Sequence, residues 1–99
     1  MKEAANIVVL RANGGESLAF EVLVRDAEGE SRHKVTMTQS AYERLSGGKY
    51  APETCVEAAF RFLLDREPKR AILSDFDIAV ISRYFPEFEQ TLPSYLPPP

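Results

Sequence analysis

Residues 52–90, PETCVEAAFRFLLDREPKRAILSDFDIAVISRYFPEFEQ, decide how this chain folds. They hold its densest apolar content, cut into pieces by Pro68 and Pro86. Pro52 sits where the first turn of a helix tolerates a missing N–H. Val56, Ala59, Phe60 and Leu63 then recur at i, i+3, i+4 and i+7, and Cys55, Phe62 and Leu64 widen the stripe. Glu57, Arg61 and Asp65 lie four apart, where they can pair along the helix. The spacing predicts a central helix over 52–67, ended because Pro68 restricts the residue before it. Ala71-Ile72-Leu73 reads as one helical turn. Ser74 reads as the cap of a further helix over 75–85, with Asp75 and Asp77 in a first turn whose dipole favours negative charge. That helix is apolar nearly all round, so it should be buried on more than one side or bury a side against another chain. The stretch is the framework of a core and contains no recognisable reaction machinery.

Upstream the period changes to two. Leu18, Phe20, Val22 and Val24 alternate onto one face, and after the polar, glycine-containing Asp26–Glu30 so do His33, Val35 and Met37. This predicts a hairpin of about 17–38. Ile7–Leu10 is a short apolar run that suits a first strand, although Asn13-Gly14-Gly15 interrupts the chain soon after it. Ser40-Ala-Tyr-Glu43 matches a capping box, opening a helix over 39–46 that Gly47-Gly48 stops. The expected fold is α+β: a small antiparallel sheet of two or three strands, covered on one face by two or three helices. Residues 1–92 should form a single domain and 93–99 a proline-rich, extended and mobile tail.

Composition supports a folded domain: 44% of the 99 residues are hydrophobic and 27% charged. The net charge is −3; residues 1–50 balance seven basic against seven acidic side chains, and the excess lies in residues 51–99, with five against eight. Nothing here makes the basic field of a tight nucleic-acid binder. Apolar runs reach only about four residues where a membrane span needs about twenty. Residues 1–6 lack the apolar region of a signal peptide, so the expected location is the cytoplasm. The lone Cys55 cannot form an internal disulfide.

The chemistry-bearing residues have plain structural readings. His33, the single histidine, shares a strand face with Val35 and Met37 and reads as packed. Cys55, one turn into a helix, reads as a small buried hydrophobe. One His and one Cys cannot build a zinc site. Asp75, Asp77, Glu87 and Glu89 have no EF-hand spacing and read as helix-capping and solvated acids. Asp65 and Glu67, beside Arg66, Lys69 and Arg70, read as a charged helix end. The glycine pairs at 14–15 and 47–48 match neither GxxxxGK[ST] nor GxGxxG and read as turns. No catalytic residue, cofactor or metal ligand is assigned.

Two readings concern partners. Residues 32–66 run strand, helix, turn, helix, an order that resembles the ribbon-helix-helix family. That resemblance implies a DNA-reading face of Arg32, Lys34, Thr36 and Thr38. It departs in two ways: this strand has a hairpin partner within the chain, and the chain lacks excess positive charge. A second resemblance rests on His33-Lys-Val-Thr36, Ala59–Pro68, Ile72-Leu73, Phe76-Asp-Ile78 and Ile81–Glu87, which look like a family of small bacterial proteins. It implies a bacterial, cytoplasmic origin and no activity, cofactor or site. The leading expectation is a non-enzymatic module that binds a protein partner or a second copy of itself, with nucleic acid and membrane disfavoured. Tyr84, Phe85, Phe88 and Tyr95 are the candidate interface, because aromatic residues anchor interfaces.

Overall fold

The computed structural model describes residues 5–98. The chain is α+β, and its sheet has four strands in the order β1-β2-β3-β4: β1 Asn6–Ala12, β2 Leu18–Asp26, β3 Gly29–Met37 and β4 Asp75–Asp77. The first three are antiparallel neighbours, and β4 runs parallel to β3. The sheet is therefore mixed and larger than the two or three antiparallel strands the sequence suggested. Four helices accompany it: α1 Gln39–Ser46, α2 Pro52–Leu64, α3 Ala79–Tyr84 and α4 Phe88–Thr91. No helix among the described residues is long and apolar enough to cross a membrane.

The hairpin follows the period-two pattern. Its register pairs Leu18 with Met37, Phe20 with Val35 and Val22 with His33, closing at Asp26 opposite Gly29. The tip is tighter than expected. Asp26 Oδ1 accepts from the Glu28 N–H at 2.8 Å, and Gly29 takes a φ of +131° that a side chain would disfavour. Ile7–Leu10 does form a strand, lengthened at both ends and paired from Asn6 opposite Arg25 to Ala12 opposite Ala19.

Ile7, Phe20, Val22, Val24, Val35, Met37 and Phe76 turn to the helices and are buried, whereas Val8 and Leu10 on the other face stay 41% and 49% exposed. On the covered face α2 contributes Val56, Ala59, Phe60 and Leu63, all buried. Each fully buried large apolar side chain is worth roughly 1.5–3 kcal/mol, so this single core is the main source of stability.

Residues 75–85 correct the sequence reading. They form strand β4 and then the six-residue α3, not one helix capped by Ser74. The Lys34 N–H donates to Ser74 O and the Ile78 N–H to Thr36 O, both at 2.8 Å, so the backbone flanking Phe76 is consumed by β3. Asp77 then starts the helix: one carboxylate oxygen accepts from the Ala79 N–H at 3.0 Å and the other from the Thr36 hydroxyl at 2.7 Å. The apolar residues of 75–85 fit a helical stripe, but Asp75-Phe76-Asp77 also alternates, and sheet hydrogen bonding decides between them.

Three smaller boundaries also differ. α2 ends at Leu64 rather than near Glu67, because Arg66 and Glu67 N–H groups both turn back to Leu63 O at 2.9 Å. α1 has the expected span, but its cap is Thr38, whose hydroxyl accepts from the Ala41 N–H at 3.1 Å, and not the Ser40/Glu43 box. Leu92–Tyr95, expected as extended, is a 3-10 turn with Leu92 buried.

Candidate functional site

Past the end of α2 at Leu64, a 3-10 turn, Lys69–Ala71, carries the chain to β4. Two depressions flank this crossing. The first is a cleft of about 680 Å³ between the end of α2, the hairpin tip and Tyr95, lined by charge. The second is an apolar groove of about 410 Å³ between the crossing and α3.

Asp26, Arg61, Asp65, Arg66 and Lys69 of the cleft each have a polar partner within the chain. Lys69 Nζ donates to Asp26 at 2.9 Å and to Gly29 O at 2.6 Å, tying the crossing to the hairpin tip. Its hydrogen bond to Asp26 holds that carboxyl below its usual range. Tyr95 donates to Asp65 at 2.6 Å and accepts from Arg66 at 3.3 Å. Arg66 also donates to Glu87 at 3.3 Å and stacks 3.7 Å over the Phe62 ring. Arg61 pairs with Glu57 at 3.4 Å. These pairs brace the end of α2.

The groove has buried Phe76, Ile72 and Ile81 at its base, with Leu73 and Tyr84, 49% and 69% exposed, at its rim. Val80 and Phe85 complete its walls. Glu67 lines both depressions, and burial pushes its carboxyl above the ordinary value. No cation lies within ion-pair distance of it among the described residues. The groove therefore offers apolar surface and one poorly solvated carboxyl.

The four candidate interface aromatics separate. Phe88 is buried to 1% exposure and lies 5.0 Å from Phe62. Phe85 and Tyr95 are half-buried and meet the same ring edge-on at 5.8 and 5.9 Å. Phe62 is thus the hub of an intramolecular aromatic cluster, and Tyr84 alone stands clear of it. The sequence reading missed Leu73 and Val80. Leu73 is exposed beside buried Ile72, and its sequence neighbours give no signal that separates the two.

Arg32, Lys34 and Thr36 share the face of β3 opposite buried His33, Val35 and Met37, and Thr38 lies just past the strand end. Arg32 lies 3.6 Å from Glu21, Lys34 stands opposite Asp75, Thr36 donates to Asp77 and Thr38 caps α1. β3 is paired with β2 along its length and with β4 at residues 34–36, so those residues have no free edge for an intermolecular ribbon.

His33 is buried, its Nδ1–H donating to Leu73 O at 2.7 Å while Nε2 meets the Ser31 hydroxyl at 2.8 Å. Its ring packs edge-on against Phe60 at 5.3 Å. Burial pushes the Cys55 thiol up to about 11. Glu87 and Glu89 pair with Arg66 and Arg44. Among the described residues no three His, Cys, Asp or Glu side chains gather as a metal site requires.

Fold and surface together define a small α+β domain with an open apolar groove beside its short edge strand. No protein-family model, curated protein or solved structure matches this chain.

Proposed function

We propose that the protein is a non-enzymatic interaction module whose groove between the 69–73 crossing and α3 accepts an apolar side chain of a protein partner. The observation that carries this reading is the pairing of a buried apolar base with an exposed apolar rim, Leu73 and Tyr84, in a cavity of about 410 Å³. Concave apolar sites with few polar groups are the usual form of a binding pocket, and an aromatic at the rim suits an anchor. Several of the cleft's charges are already committed to partners within the chain, Lys69 to Asp26 and Arg61 to Glu57 among them, which also favours the groove as the working surface.

Paired variants test it. Tyr84→Ala and Leu73→Lys should keep the far-ultraviolet dichroism and melting temperature of the parent and weaken binding of peptides bearing a Leu or Phe anchor by about tenfold or more. Phe88→Ala should instead unfold the protein, costing about 3–5 kcal/mol through the cavity it leaves. Rim variants that bind like the parent, or that lose the fold, would remove the groove from consideration.

A further inference from the structure

The two edges of the sheet are treated differently. β4 is three residues long and turns at once into α3, so it offers little template. β1 is seven residues, NIVVLRA, with neither proline nor lysine, and its outer edge is bonded to no other described residue. Natural sheets blunt such edges with charge, proline or bulges, because an open apolar edge pairs with other chains.

The direction of its free groups is set by the ladder. Lys34 N–H and Thr36 C=O bond toward β4, so the even residues of β3 face β4 and the odd ones face β2. Carrying the alternation through both registers points the N–H and C=O of Ile7, Val9 and Arg11 away from the sheet.

We propose that two copies of this chain associate by antiparallel pairing of β1 with β1 across a two-fold axis at Val9, joining their sheets into one. The strand is self-complementary about that residue. Val9 meets Val9 of the second copy and Ile7 meets Arg11, so each outward donor and acceptor finds its match. On the uncovered face Val8 meets Leu10, the two large apolar residues that the sheet leaves exposed.

Charge selects the same arrangement. Glu53, Glu57 and Arg61 recur every four residues along α2; the first is held at β1, where Arg11 donates to Glu53 at 3.0 Å, and the last lines the same cleft as Ala5, the residue before β1. A two-fold sets the acidic start of one row against the basic end of the other. Parallel pairing would oppose Arg11 to Arg11 and Glu53 to Glu53. A second copy brings the same row reversed, as this edge requires. The groove lies beside β4, so the dimer does not rest on the groove reading and leaves two grooves open at its far ends.

Light scattering on the full chain over a range of concentrations, combined with amide hydrogen exchange, tests the proposal. Expected are a mass rising to twice 11.1 kDa and protection of the Val9 amide that grows with concentration. Leu10→Lys should raise the dimer Kd by about tenfold or more. Val9→Pro should do likewise, because the N–H it deletes points outward and makes no bond within the sheet. Should either variant fail to fold, the wild-type exchange decides. A mass of 11.1 kDa at the highest concentration, or Val9 exchange indifferent to concentration, would overturn the proposal. So would a dimer that survives Leu10→Lys but dissolves on Leu73→Lys.

Discussion

Cys55 shows how burial rather than residue type sets reactivity. Its position one turn into a helix suits a lowered thiol pKa, yet the side chain is 2% exposed and burial carries the thiol up to about 11. A two-unit rise lowers the thiolate fraction at pH 8 by about a hundredfold. Alkylation of the folded protein should be slower than that of free cysteine by at least that factor and become fast in denaturant. Equal rates in the two states would show the site to be open. His33 was legible from its parity with Val35 and Met37, but its two hydrogen-bond partners were not. One of them, Leu73 O, is 40 residues away in sequence.

Elements whose periodicity was unambiguous were read at nearly their true bounds. The hairpin and the start of α2 needed only alternation, a 3.6-residue stripe and a proline. Residues 75–85 were misread because Phe76 fits both periods, and the β3 edge that settles the matter is remote in sequence. Asp77 is the residue on which that segment turns. Asp77→Ala, which removes the acceptor for the Ala79 N–H and for the Thr36 hydroxyl, should cost about 1–2 kcal/mol in denaturant unfolding. No loss would deny the carboxylate its capping role.

The crossing is held differently, by Lys69 clasping Asp26 and Gly29. Asp26 has a depressed folded-state pKa, so its stabilisation is present above the ordinary carboxyl value of 3.8 and is lost as pH falls through the lower folded value. Wild type should therefore outlast Asp26→Asn in thermal melts at neutral pH, with the gap closing as the pH falls past the ordinary carboxyl value and through the lower folded one. A constant gap would mean that the clasp does not depend on the ionised carboxyl.

For the molecule as a whole, the α+β class was legible because hydrophobic periods of both kinds occur in one short chain. The strand count and the groove were not. Both depend on β4, and the groove exists only because the crossing and α3 leave a gap beside it. The aromatic residues near the C-terminal end, read together in the sequence, take two different places. Phe85, Phe88 and Tyr95 surround Phe62, and Tyr84 with Leu73 forms the rim. The most direct test of the groove as the working surface is amide-shift mapping with a peptide carrying a single Leu or Phe anchor. Saturable shifts confined to residues 71–73 and 80–85, and abolished in Leu73→Lys, are the predicted result. Shifts centred on the charged cleft or on β3, or no shifts at all, would contradict it.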